Sequence, residues 1–399
     1  MIEKEARMIA FRGEGMTKEQ RRRGLSLFLR REPLTLAALM VLAVVLFLVV
    51  TGLSRAYYAK QESLAQQWSQ RGVDDLNAQR YSQAVAEFRT ALLYSRDNYA
   101  YQLNLAEALM GLNRTDEGYA YLINLWDRQP ENGMANLELA RIEAQRGATP
   151  QALRYYHDAI YAIWPGDQEV GRRNARLELI NYLLRINAKT QAQAELIALA
   201  ANLGEDAPEQ VLVGQLFLRA QDFSHALDAF RLSLRLDRHS EAALADAGEA
   251  AFELGQYPAA EGYLQAAVAA SSNDVKSTAR LRKTEFVLDM DPFRTQVSAV
   301  ERDRIVANAF ATAGDRLKSC AAPDGSAVGA AAASQQNLAQ QWAKLKPQVT
   351  DRGLRRNPDM VDTAMQLVFN IERQASATCG PGTEVDQALL LIAKLHEEN

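Results

Sequence analysis

The 399-residue chain is 24% charged and 48% hydrophobic, with a formal net charge of −4. A mildly acidic chain with no basic run in its main body is a poor nucleic-acid binder. The length allows one elongated domain or two compact ones behind a short N-terminal tail.

Residues 1–33 form that tail and carry nine Lys/Arg against five Glu. A 20-residue apolar run, Leu34 to Leu53, follows Pro33 and contains no charge. As a helix rising ~1.5 Å per residue it spans roughly the 30 Å of a bilayer core. The next positive residues are only Arg55 and Lys60, so the positive-inside rule predicts a cytoplasmic N-terminus and residues 54–399 outside. Tyr57 and Tyr58 fall where an interfacial aromatic belt would lie. A cleaved signal peptide fits less well, because the run exceeds an h-region of ~7–15 residues and no A-x-A site follows. A buried core helix fits poorly with 20 uncharged residues in a row. Taking the +4 tail from the −4 chain leaves −8 on the predicted exported part. The expected location is a bacterial inner membrane, single-pass, with the bulk of the chain periplasmic.

No Pro or Gly occurs from Ser54 to Ser63, so the apolar helix can continue outward. From residue 65 a 34-residue period appears in windows 65–98, 99–132, 133–166, 173–206, 207–240 and 241–274, with 167–172 inserted. The eighth place is Gly72, Ala106, Ala140, Ile180, Gly214 and Gly248; the twentieth is Ala84, Gly118, Ala152, Ala192, Ala226 and Ala260. The twenty-fourth is bulky throughout: Phe88, Leu122, Tyr156, Leu196, Phe230 and Leu264. Small residues let two antiparallel helices approach, and the bulky residue is expected to fill the gap to the next pair. Turn signals stand at 77–80, Leu112-Asn113, Gly147 and Gly255, and Pro130 and Pro165 end repeats.

This pattern resembles the tetratricopeptide repeat (TPR) family. Trp68, Gly72, Tyr81, Ala84, Phe88 and Ala91 of the first window lie close to the family pattern, and Pro130 takes its terminal proline place. Ile180 departs from it, and four windows lack that proline. The predicted fold is all-α: an N-terminal transmembrane helix, a TPR-type α-solenoid over 54–274, and a C-terminal helical extension. The resemblance implies binding of an extended peptide or partner helix on the face lined by first helices. Its groove-facing ninth and thirteenth places give Val73/Asn77, Glu107/Gly111, Arg141/Gln145, Asn181/Arg185, Gln215/Arg219 and Glu249/Glu253. Arg141, Gln145, Asn181, Arg185, Gln215 and Arg219 are therefore the candidate partner-binding residues, a polar and positive strip suited to carboxylates and peptide amides. A solvated face is the plainer reading of each. The carboxylate-clamp lysine is absent, since the fifth place holds Leu103, Leu137, Leu177 and Val211.

Residues 275–290 read as a capping helix, ended by Asp291-Pro292. Helical stretches follow at 297–319, 335–346, 359–377 and 384–397, with a flexible loop expected near 322–334. Cys320 and Cys379 are the only cysteines. An even pair in an oxidising compartment points to one structural disulfide, with two buried free thiols as the alternative the spacing leaves open. The four histidines are scattered, no nucleotide-loop or nucleophile-elbow motif occurs, and no catalytic site, metal or cofactor is implied. Asn113-Arg114-Thr115 matches a glycosylation acceptor, a short and unspecific signal. The expected function is a membrane-anchored scaffold holding a protein partner on the exported side, in envelope assembly, secretion or complex biogenesis. An enzyme with its site in 291–399, or a cytoplasm-facing docking platform, are the alternatives.

Overall fold

The computed structural model describes residues 18–271, 273–295, 297–320 and 330–397. Residues 1–17 of the basic tail and 321–329 of the expected loop lie outside the described residues. The chain divides into two compact units, Met1–Ala175 and Arg176–Asn399. Each is described by itself.

The first unit begins with α1 (Lys18–Asn77), a 60-residue helix that runs through Pro33 and the apolar run without a break. Its side chains from Thr35 to Val50 are all exposed, and by length and composition it can cross a membrane. The same helix then supplies the first half of a helix hairpin with α2 (Tyr81–Tyr94). Two more hairpins follow, α3 (Tyr99–Gly111) with α4 (Thr115–Arg128), and α5 (Gly133–Gln145) with α6 (Thr149–Tyr161). The insertion 167–172 is not a loop. It is the first turn of α7 (Gln168–Arg185), which starts early because the Asp167 carboxylate accepts the Glu169 and Val170 N–H groups (3.0 and 3.2 Å).

Repetition is visible in the chain's hydrogen bonds. Each hairpin turn places one residue in the left-handed region: Gln79, Asn113, Gly147, Asn187, Gln221 and Gly255. The next residue's N–H then bonds back across the helix end, as in Arg80 to Asp75 O (2.8 Å) and Gln256 to Ala251 O (2.9 Å). This satisfies carbonyls the helix leaves open. At the opposite ends Asn98, Asn132, Asp206, Ser240 and Asp274 cap the first helices of their repeats through side-chain oxygens.

The small and bulky places meet inside one hairpin rather than only across the gap to the next. A Cβ on Gly72 would lie 2.7 Å from the Phe88 ring, one on Gly214 2.5 Å from Phe230, and one on Gly248 2.5 Å from Leu264. Phe88, Phe230 and Leu264 occupy the space that a side chain at these glycines would take. In the first unit the same Phe88 also shares a core with Leu105 and Leu109 of the following repeat, so it serves both contacts. Ile180 departs from the small-residue rule where its counterpart is Leu196, and both are fully buried. Gly214→Leu is expected to lower the thermal midpoint of unfolding, with overpacking costing about 1–3 kcal/mol; an unchanged midpoint would contradict this packing.

The second unit holds α8 (Lys189–Ala200), the hairpins α9 (Ala207–Arg219) with α10 (Phe223–Leu236) and α11 (Glu241–Glu253) with α12 (Tyr257–Ala270), then α13 (Val275–Met290). The remaining helices are α14 (Ala299–Cys320), α15 (Ala330–Leu345), α16 (Asp351–Arg356), α17 (Met360–Cys379) and α18 (Glu384–Glu397). Described residues of 275–397 share a core with the hairpins before them. One apolar cluster runs from Ile180 through Phe217, Phe230 and Leu264 to Val287, Phe310, Val368 and Ile392. The loop expected to reach residue 334 is helical from Ala330, because a run of alanines is a strong helix former. On α15, Trp342 stacks on Phe310 and donates its indole N–H to the Phe310 carbonyl (2.8 Å).

Cys320 and Cys379 end α14 and α17 and are bonded, with Cα atoms 5.9 Å apart. Beside them the Arg316 guanidinium donates to the Gly380 carbonyl (2.5 Å).

Candidate partner-binding face

Within each unit the first helices of successive repeats present their polar residues to one another. In the second unit Arg219 Nη1 donates to Asn181 Oδ1 (3.2 Å), joining α9 to α7. Gln215 Nε2 donates to Asp246 Oδ2 (2.8 Å), joining α9 to α11. Arg280 of α13 pairs with Glu249 (2.5 Å) and Glu253 (3.5 Å) of α11, and its guanidinium lies 4.4 Å from the Phe252 ring centroid. Arg185 is exposed on α7, 5.6 Å from the Tyr182 ring centroid. Asn181, Arg185, Gln215 and Arg219 are all exposed, and cross-helix bonds place Asn181, Gln215 and Arg219 on one continuous face.

The other two candidates belong to the first unit. Gln145 is exposed at the end of α5, and Arg141 is half-buried. Arg141 forms an ion pair with Glu138 and also acts on Glu107 of α3. Burial raises the Glu107 carboxyl above its usual range, with Arg141 pulling it down. Acidic neighbours thus offset Arg141. Asp246 shows the same balance: burial raises its pKa, and the Gln215 amide opposes the shift.

Asp246 and Arg280 belong to this face but were not among the ninth- and thirteenth-place residues. Asp246 occupies the sixth place of window 241–274, an i, i+3 spacing before the ninth-place Glu249 that could have marked it; Arg280 lies past the last window, in the helix read as a cap. Among the described residues no group of three or more His, Cys, Asp or Glu is placed to hold a metal ion. A groove of about 900 Å³ between α13 and α18 is lined by Val275, Ala279, Arg282, Lys283, Phe286 and Gln387, among others.

The fold is that of an all-helical repeat protein, built from helix hairpins stacked in register. Residues 70–122, 108–168 and 211–275 match the family model described as tetratricopeptide repeat, and the chain carries tetratricopeptide repeats. No curated protein matches the sequence. Among solved structures it is similar to YrrB, described as a TPR protein with an unusual peptide-binding site (14% identity, 49% of this chain and 97% of that one, TM-score 0.39). It is also similar to PilW, described as a widely conserved type IV pilus biogenesis factor (18% identity, 54% and 98%, TM-score 0.39). A third similarity is to the TPR2AB domain of yeast Sti1 in complex with pHSP90 (16% identity, 70% and 99%, TM-score 0.28).

Proposed function

We propose that this chain is a single-pass membrane scaffold that holds a protein partner on the exported side. The observation that carries the reading is α1, whose exposed apolar stretch leads without a break into the first repeat. Tetratricopeptide repeats are protein–protein interaction modules, and the polar face of Asn181, Arg185, Gln215 and Arg219 offers amide and guanidinium groups to an extended peptide or helix. The nine-positive tail supports a cytoplasmic N-terminus in a bacterial inner membrane. The bonded cysteines support an oxidising compartment for the body. Tethering raises the effective concentration of anything bound near the bilayer. Envelope assembly, secretion or complex biogenesis are the settings such a scaffold fits.

Crosslinking in intact cells, purification of the full-length protein in detergent and mass spectrometry of what remains attached would test this reading. The expected result is one dominant exported partner, reduced at least tenfold in the Arg185→Glu/Arg219→Glu variant. Partners that are all cytoplasmic would overturn the topology. Capture unchanged by the double variant would move the partner off this face.

A further inference from the structure

The first unit exposes five large apolar side chains outside α1 among the described residues: Leu93, Tyr121, Tyr161, Ile163 and Val170. Four of the five gather at one edge. The first-repeat part of α1 runs away from the apolar stretch, so α2 runs back towards it, and the same alternation carries through α3 to α6. The turns at 78–80, 112–114 and 146–148 therefore stand at the far edge. Those at 95–98, 129–132 and 162–167 stand at the edge nearest the apolar stretch. Bonds join the near edge into one surface: Arg128 Nη2 donates to Asp97 O (3.4 Å), Ile163 N to Glu131 O (2.8 Å), and Gly133 N to Ile163 O (2.9 Å). Leu93 (80% exposed) lies in the last turn of α2 there, Tyr161 (73%) ends α6, Ile163 (61%) lies in the turn that follows, and Val170 (39%) lies in the first turn of α7. Trp164 fixes that turn, its ring lying where a Cβ on Gly133 or Gly171 would be (2.4 and 2.3 Å).

Resting on the membrane-anchored reading, we propose that this near edge is a second membrane contact, seated in the interfacial layer of the bilayer at the third repeat through Tyr161, Ile163 and Val170. Continuity with the anchor identifies the occupant. At ~1.5 Å per residue, the helix between Leu53 and Ala65 raises the edge about 18 Å above the hydrocarbon boundary, and headgroups fill roughly 6 Å of that. The third repeat lies two repeats away, on the order of 20 Å at ~10 Å between packed helices. A tilt within the ordinary range of about 0–40° lowers it by up to ~13 Å, which closes the gap. Tyrosine suits such a depth, with an apolar ring and a wet hydroxyl. The edge carries Arg96 and Arg128 against Asp97, Glu131, Asp167 and Glu169, so the contact is apolar insertion rather than attraction to anionic lipid.

The test uses the full-length protein in phosphatidylcholine nanodiscs, oxidised, with an environment-sensitive dye on one introduced cysteine. The native cysteines are bonded and the sequence has no others. Dye at Ile163→Cys or, separately, Tyr161→Cys is expected to blue-shift and to lose fluorescence to doxyl-labelled lipid, at high and low salt alike. Dye at Ala78→Cys on the far edge is expected to stay water-like. Val44→Cys inside the anchor is the reference. Quenching at 44 with water-like emission at 161 and 163 would overturn the second contact and leave the anchor standing. A blue shift at 163 without lipid quenching would mean that protein covers the edge, which also overturns it. Water-like emission at 44 would remove the anchor itself.

Discussion

Reducing the Cys320–Cys379 bond, or replacing both cysteines by serine, is expected to destabilise the second unit by about 4 kcal/mol. The bond closes a loop of 59 residues in sequence, and in the chain-entropy model such a cross-link removes much of the freedom of the unfolded chain. Its position concentrates the effect. It ties the end of α14 to the end of α17, and Met365 and Val368 of α17 pack with Phe310 and Val306 of α14 in one core. Urea denaturation with and without a reductant measures the change, and hydrogen exchange locates it. Protection is expected to fall in α14 and α17 and to hold in α2 to α5. Equal protection in both redox states would mean that packing alone fixes these helices.

Stability of the second unit is also expected to fall as the pH rises, and Glu372 is the reason. This carboxyl is 1% exposed in α17, neither of its oxygens has a hydrogen-bond partner, and its pKa is raised from 4.5 to about 7. Burial is the largest cause, the Asp386 carboxylate of α18 adds to it, and Arg316 of α14 opposes it. Asp386 stays committed to capping α18, accepting the Thr383 N–H (2.6 Å) and hydroxyl (2.9 Å). The folded chain therefore holds a proton on Glu372 that the unfolded chain has released above pH 4.5. That stabilisation is fully present below about 4.5 and is lost as the pH rises through about 7, a change on the order of 3 kcal/mol. Glu372→Gln is expected to remove this part of the pH dependence and to raise the urea midpoint at pH 8. A variant as pH-sensitive as the parent would assign the effect elsewhere.

Much of the repeat fold was legible because it is written in residue size at fixed spacing. Gly72 with Phe88 and Gly214 with Phe230 stand sixteen residues apart, and that spacing alone brings them together across a hairpin turn. The turns holding Gln79, Asn113, Gly147 and Gly255 were legible as turn signals at 77–80, 112–113, 147 and 255; those at Asn187 and Gln221 adopt the same conformation outside these signals. The candidate face rests on the ninth and thirteenth places that the resemblance implies. Cross-helix bonds join Asn181, Gln215 and Arg219 there, and the offset of Arg141 by Glu138 and Glu107 depends on side-chain placement that no spacing displays. The last window ends at residue 274, and the packing of Leu264 with Val287 and Ile392 beyond it depends on tertiary contacts that no window displays. Glu372 could have been found. Met365, Val368 and Ala375 flank it at helical spacing, which puts a carboxylate on an apolar stripe.

The unbroken α1 has one more consequence. Arrays of repeats open from their ends, because a terminal repeat has one neighbour fewer and its first helix leaves four amide hydrogens without helical acceptors. Here the first repeat begins in mid-helix, so those amides are already bonded to the turn before them. Fraying has no starting point on that side, and the N-terminal repeat is sealed by the very segment that precedes it.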